Sequence, residues 1–139
     1  MKYHQVQQEK ARLFFQKNKT IESPCIGVVT FNSQGFRHLI CKNKKHKRDL
    51  KNQLKRFELL EYVPIILSGM THYQEYCEEM KGKTHIYWSF VAIIKNKLRL
   101  KIILRKIGHG HIHFWSVIPV WKTIGYRQIR VHKGNLEED

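Results

Sequence analysis

The second half of the chain contains three segments in which β-branched and aromatic residues predominate. They are residues 85–94 (HIYWSFVAII), 98–107 (LRLKIILRKI) and 111–118 (HIHFWSVI). Segments of this composition are typical of β-strands. The links between them are only three residues or so long, which is too short for a crossover between parallel strands. The sequence therefore predicts an antiparallel meander of hairpin-linked strands.

The first half of the chain has a helical pattern instead. Residues 3–17 carry apolar side chains at about helical spacing. In residues 49–62, Leu50, Leu54 and Phe57 share one face of an amphipathic helix. The apolar face of this second helix is expected to pack inward, which leaves Lys47, Arg48, Lys51 and Lys55 mostly outside.

Shorter segments complete the prediction. Residues 25–31 (CIGVVTF) predict a strand, and residues 32–35 (NSQG) have the composition of a turn. Residues 73–80 are interpreted as one more short helix, and the alternation in residues 125–132 as an edge strand.

Helices followed by a meander predict an α+β fold, in which N-terminal helices pack on one face of a C-terminal antiparallel sheet of about four strands. A length of 139 residues suits one domain. Within residues 1–139 we distinguish a helical extension (1–20), a core (25–118) and an acidic tail (133–139).

The chain is strongly basic. Lys and Arg number 26 against 11 Asp and Glu, which gives a formal net charge of +15, and residues 42–56 hold eight Lys or Arg with Asp49 as their one acid. A phosphate backbone is the commonest partner of such a surface, although a solubility charge or a membrane-surface charge is an alternative. The candidate RNA-binding residues are Lys44, Lys45, Lys47, Arg48, Lys51, Lys55, Arg56 and Lys101.

Other signals point to the cytoplasm. Residues 1–19 lack the pattern of a signal peptide, and no segment approaches the ~20 apolar residues that span a bilayer. Cys25, Cys41 and Cys77 are an odd number at wide spacing, which fits neither a disulfide framework nor a zinc motif. We therefore expect a cytoplasmic protein with reduced thiols and no membrane partner.

If both links are three-residue loops, the pairing of the strands is fixed, and each side chain can be assigned to one face of the meander. Tyr87, Arg105 and His113 then form one row across three strands on the solvent-facing side, with neighbours about 5 Å apart. Ser89, Lys101 and Trp115 lie nearby. Strict alternation places Ser116 and Ile118 on the opposite, buried face.

A His, an Arg and a Tyr on a cationic face suit metal-free cleavage of RNA. The ribose 2′-OH attacks the neighbouring phosphate when a base removes its proton, and His113 is the first candidate for acid or base. Arg105 would stabilise the phosphate charge, and Tyr87 would donate a hydrogen bond or stack on a base. A metal site at His109, His111 and His113 is a weaker alternative because no carboxylate or thiol lies near them in sequence, so neither a metal nor a cofactor is expected.

Several short motifs carry a resemblance. They are Thr30-Phe31, residues 32–39 (NSQGFRHL), Arg56-Phe57, residues 104–106 (LRK) and residues 113–116 (HFWS). Together with the order of elements, they resemble the barnase–EndoU–colicin–RelE (BECR) group of ribonuclease toxins, especially branches found on phages and mobile elements. The resemblance covers roughly residues 25–118.

The resemblance implies a metal-independent endoribonuclease that cleaves tRNA or ribosome-bound mRNA, leaves a cyclic phosphate and is neutralised by a cognate antitoxin or immunity protein. By position it implies that His38 on a helix, Arg105, His113 and Ser116 are active residues, with Arg56 turned towards the cleft. His113 and Ser116 are three residues apart, so in a regular strand they face opposite ways. Either a bulge around Trp115 brings both to the site, or only one belongs there.

Two other functions fit the charge equally well. The chain would be a non-catalytic nucleic-acid-binding protein of a mobile element, or, as a weaker option, a subunit whose positive face docks an acidic protein. Turnover of RNA would distinguish the ribonuclease hypothesis from these two alternatives.

Overall fold

The three β-rich segments form the centre of a sheet, as their composition predicts. The computed structural model describes residues 2–94, 98–124, 127–130 and 135–139. The helices are α1 (Tyr3–Lys17), α2 (Ser33–Ile40), α3 (Leu50–Leu59), a 3-10 turn (Leu60–Tyr62) and α4 (Val63–Gly69). The strands are β1 (Thr20–Ser23), β2 (Gly27–Thr30), β3 (Glu75–Lys81), β4 (Lys83–Ile94), β5 (Leu98–Ile107), β6 (His113–Ile124) and β7 (Arg127–Arg130).

The sheet has the strand order β1-β2-β6-β5-β4-β3, and β7 pairs with β6. All neighbours are antiparallel except β2 and β6, whose parallel pairing joins only Thr30 and His113. The α+β class is confirmed, but the sheet is larger than four strands and mixed. The predicted edge strand corresponds to β7, while residues 125–126 and 131–132 of that prediction, and the predicted loop at residues 95–97, lie outside the described residues.

The predicted helix over residues 73–80 is wrong, because this segment contains β3. Its side chains alternate between half-buried and exposed with the period of a strand, from Glu75 to Glu79. Gly82, with φ 74°, makes the turn that connects β3 to β4 and pairs Lys81 with Lys83. This glycine is the signal that favours a hairpin over a helix.

The predicted turn at residues 32–35 is instead the beginning of α2. The Asn32 side chain accepts hydrogen bonds from the backbone N–H groups of Gln34 and Gly35 and so caps the helix. A Cβ at Gly35 would overlap the carbonyl oxygen of Phe114. The absence of a side chain there lets α2 lie directly against β6.

The main core lies between the helices and one face of the sheet. Its sheet side includes Phe90, Leu100, Ile102, Leu104 and Phe114. Phe31 stacks on Phe114 with 5.0 Å between the ring centroids. Trp88, Ala92 and Ile94 of β4 also pack against this core.

Helix α3 differs from its prediction. Leu50 is 61% exposed rather than part of the apolar face, while Gln53, Arg56 and Phe57 are buried. The buried polar side chains have hydrogen-bond partners nearby in sequence: Gln53 Nε2 donates to the carbonyl oxygen of Arg48 at 2.7 Å, and Arg56 Nε donates to the Asn52 side chain. The helix therefore brings Arg56 inward, next to β6.

A bulge changes the phase of β6. Ile103 pairs with Ser116 but Leu104 pairs with Phe114, so Trp115 is an extra residue. The expectation that Ser116 and Ile118 belong to the main core is wrong for this reason. Both lie on the face that carries Ile103 and Lys101, where Ser116 contacts Arg56 of α3, and Val117 takes the core position instead.

Among the described residues, none of the helices has the length and apolar character that a membrane span requires.

Candidate functional site

The predicted row on the second face of the sheet is confirmed by the strand register. Tyr87 pairs with Arg105, and Arg105 pairs with His113. Arg105 Nε donates to His113 Nε2 at 3.0 Å, and a second guanidinium nitrogen donates to Gln34 Oε1 at 3.0 Å. The guanidinium carbon lies 3.5 Å from the centroid of the Trp115 ring. Strand, helix and bulge thus fix the Arg105 guanidinium together.

The row does not face solvent, contrary to the expectation. Arg105 is 9% exposed, His113 4% and Tyr87 0%. The cover is residues 135–139 (NLEED), which we call the acidic segment. Leu136 packs against Tyr87 and Ile103, and the Trp115 indole N–H donates to the carbonyl oxygen of Glu137 at 3.0 Å. The acidic segment was predicted only as a tail, not as part of the site.

His113 is held as a neutral imidazole. Because Arg105 Nε can only donate, His113 Nε2 is the acceptor, and the proton resides on Nδ1, 3.5 Å from the carbonyl oxygen of His111. Burial and the charge of Arg105 lower the pKa of His113 to about 4. A neutral imidazole at physiological pH is the form that accepts a proton.

His38 lies on the same side of the sheet. Its ring stacks on Trp115 with 3.7 Å between centroids, and its Nε2 accepts from a terminal nitrogen of Arg48 at 3.1 Å. Burial, followed by the charges of Arg48, Arg56 and Arg105, lowers the pKa of His38 to about 2. The predicted His38 therefore joins the site, but its contacts orient Arg48.

A second group of side chains surrounds Asp139. Its carbonyl oxygen accepts from Arg48, from Arg56, and from the Ser116 hydroxyl at 2.7 Å. Its carboxylate lies 3.4 Å from Lys101 Nζ, and both side chains are almost fully buried. We call Arg48, Arg56, Lys101 and Ser116 the anion pocket. The bulge at Trp115 is what brings Ser116 into it.

Positive charge is in excess at this site. Among the described residues, four basic residues are buried there (Arg48, Arg56, Lys101 and Arg105), and Asp139 is the one buried acidic residue. Glu75, which is half-buried, adds a contact of 3.0 Å to Lys101. Burial lowers the pKa of Arg48 to about 10 and that of Arg56, next to Arg48, to about 9. Such a group of buried cations is stabilised by an anion.

The candidate RNA-binding residues divide into two sets. Arg48, Arg56 and Lys101 are buried in the anion pocket, so the expectation that Arg48 lies outside is wrong. The others are exposed: Lys44, Lys45, Lys47, Lys51 and Lys55, of which Lys51 and Lys55 line a surface pocket together with Arg56. They are available to contact a polyanion.

Two residues of the site were missed from the sequence. Gln34 was interpreted as turn composition, and its side chain positions Arg105. Asp139 was assigned to the tail, although the concentration of three acids at positions 137–139 of a basic chain is a signal of complementarity. Within the described residues, His109, His111 and His113 do not belong to any group of side chains that could hold a metal ion.

Comparison of the chain with protein-family models, with curated proteins and with solved structures found no match.

Proposed function

We propose that the protein is a metal-independent endoribonuclease of the BECR type, which cleaves RNA by attack of a ribose 2′-OH on the adjacent phosphate. The observation that carries the proposal is the contact of Arg105 with a neutral His113 beside the anion pocket. This contact combines a base with a cation that can neutralise the charge of the phosphorane.

His113 is the proposed base. When a phosphate oxygen replaces His113 Nε2 as the acceptor of Arg105, the lone pair of Nε2 becomes free to take the 2′-OH proton. The lowered pKa of His113 keeps this nitrogen unprotonated at neutral pH.

Tyr87 is the proposed acid. Its hydroxyl is buried and interacts with the Arg105 guanidinium. Burial raises the pKa of Tyr87, against the opposing charge of Arg105, so the hydroxyl keeps its proton. Tyr87 and His113 flank Arg105 on opposite strands, about 10 Å apart if each neighbour is separated by ~5 Å. A base and an acid on opposite sides of one phosphate are what in-line displacement requires, so this spacing supports the proposal.

Ser116, Arg56 and Lys101 are proposed to hold a phosphate oxygen next to the scissile bond. The proposed substrates are tRNA or mRNA in the cytoplasm, and an acidic antitoxin or immunity protein is the proposed partner, because an acidic surface complements the cationic site.

The test is incubation of the purified protein with tRNA and with mRNA in the presence of EDTA. We expect fragments that end in a 2′,3′-cyclic phosphate, and no cleavage of 2′-O-methyl RNA, which lacks the nucleophile. His113→Gln and Arg105→Lys should each lower the rate at least ~100-fold. His111→Gln, an exposed position two residues away, is the matched control and should keep full activity. Intact RNA with all substrates would contradict the proposal.

A non-catalytic nucleic-acid-binding protein is the second candidate. It is favoured by the contacts of His113, because one ring nitrogen contacts Arg105 and the other contacts the carbonyl oxygen of His111. A histidine with both nitrogens engaged in this way has no nitrogen left to accept a proton from a substrate. Binding of RNA without cleavage, and growth on expression that is unaffected by His113→Gln, would favour it.

A further inference from the structure

The acidic segment contacts the site in the manner of a bound polyanion. Oxygens of its backbone accept hydrogen bonds from Arg48, including one from the carbonyl oxygen of Glu138 at 2.8 Å. The carboxylate of Asp139 pairs with Lys101. Leu136 closes the apolar end of the site against Tyr87. Cations, a hydroxyl and an aromatic surface are the groups that bind a phosphate and its neighbouring base.

We propose that the anion pocket is a phosphate-binding subsite for the RNA backbone, and that the acidic segment fills it in the resting protein and leaves when RNA enters. The inference rests on the proposed function, since it concerns the same site, but it makes a separate claim about binding.

The buried charges explain why the RNA backbone would replace the acidic segment in the anion pocket. The three buried cations of the pocket, with Arg105 nearby, would be costly without an anion, so the pocket is stable only when occupied. The anchor of the segment is small, because Leu136 is its one buried apolar residue among those described. The other contacts of the segment are polar, such as those of Asp139 with Lys101 and of Glu138 with Arg48. An RNA strand can replace these contacts with its phosphates, and further phosphates of the strand can contact exposed lysines.

The predicted result of releasing the segment is tighter RNA binding. A site that is open only part of the time has an apparent affinity reduced by that fraction. If the segment covers the pocket about nine-tenths of the time, its release strengthens binding about tenfold.

The variant is Leu136→Ser/Asp139→Asn, which removes the apolar anchor and the buried carboxylate. The matched control is Leu13→Ser/Glu9→Gln, the same changes at exposed positions of α1 on the helix side of the sheet. Both add one unit of positive charge, so the control corrects for general electrostatic attraction. Affinity is measured at fixed salt by fluorescence anisotropy with a short 2′-O-methyl RNA, which cannot be cleaved through its 2′ position.

A second measurement uses the unaltered chain. As the same oligonucleotide is titrated in, backbone amide signals of residues 136–139 should move to the positions of a free peptide in NMR spectra. If these signals stay in place while the protein becomes saturated, RNA binds elsewhere and the inference is overturned.

The outcomes separate the two proposals. Tighter binding by the variant without cleavage of any RNA would support the subsite and contradict the ribonuclease. Cleavage by the unaltered chain, with variant and control equal in affinity and rate, would support the ribonuclease and overturn the inference.

Discussion

Lowering the pH tests whether His38 and His113 are held as neutral, buried imidazoles. Their pKa values in the folded protein, about 2 and about 4, lie below the ordinary value of about 6.5. The unfolded chain therefore binds more protons at mildly acidic pH. The stabilisation is fully present above about pH 6.5 and is lost as the pH falls through the window below it.

The size of the loss follows from the shift. A pH of about 5 lies about 1.5 units below the ordinary pKa of histidine, and each unit corresponds to ~1.4 kcal/mol. Each histidine therefore lowers the free energy of unfolding by about 2 kcal/mol at that pH, and the two together lower it by about 4 kcal/mol. A domain of this size has a free energy of unfolding of about 5–15 kcal/mol, so the loss is a large part of the total. Carboxylates contribute little in this window, because Glu75 titrates lower: burial raises its pKa, but the hydrogen bonds from Ser89 and Lys101 outweigh that effect.

The assay is urea unfolding between about pH 8 and about pH 5. We expect the free energy of unfolding to fall by several kcal/mol, and the double variant His38→Gln/His113→Gln to fall much less over the same range. The exposed pair His46→Gln/His109→Gln is the matched control and should keep the full pH dependence. A free energy of unfolding that does not change with pH in the unaltered chain would refute the assignment of buried neutral imidazoles.

Three further changes test how the site is supported. Gly35→Ala should destabilise the protein by about 2 kcal/mol or more, because the new methyl group meets the backbone of Phe114. The control Gly69→Ala should destabilise it less, since there is open space around Gly69. Thermal unfolding measures both variants. Asn32→Ala should cost about 1 kcal/mol through loss of the α2 cap, seen in the same assay. Lys101→Met should weaken RNA binding several-fold more than the exposed Lys55→Met, as measured by anisotropy.

The register of the meander was predictable because hairpin loops of fixed length determine which residues pair. Once Ile94 pairs with Leu98, the position of Tyr87 opposite Arg105 follows by counting. The same counting failed beyond His113. A bulge around Trp115 was one of the two alternatives that the resemblance left open, and it is the one found. No local pattern decides between them, because Trp115 suits a regular strand as well as a bulge.

The cover over the site was not predictable for a different reason. The contact between Arg48 and Glu138 joins residues 90 positions apart, and the sequence records the charges of the two segments but not their approach. The resemblance implied that Arg56 is turned towards the cleft, but not that it is buried, since burial of a charge is costly. The structure places it inside since Ser116 and the backbone of Asp139 receive its hydrogen bonds.

The bulge in β6 also affects which mutations the protein can tolerate. In a regular strand, every second residue reaches a given face, but here Trp115 and Ser116 follow one another on the same face. Trp115 contacts both His38 and Arg105, while Ser116 contacts Arg56 and the backbone of Asp139. Deletion of the extra residue would leave a strand that alternates regularly, so Ser116 and Val117 would keep their faces, but the site would lose one of its two neighbouring side chains. Natural variants are therefore expected to keep the number of residues between His113 and Val117.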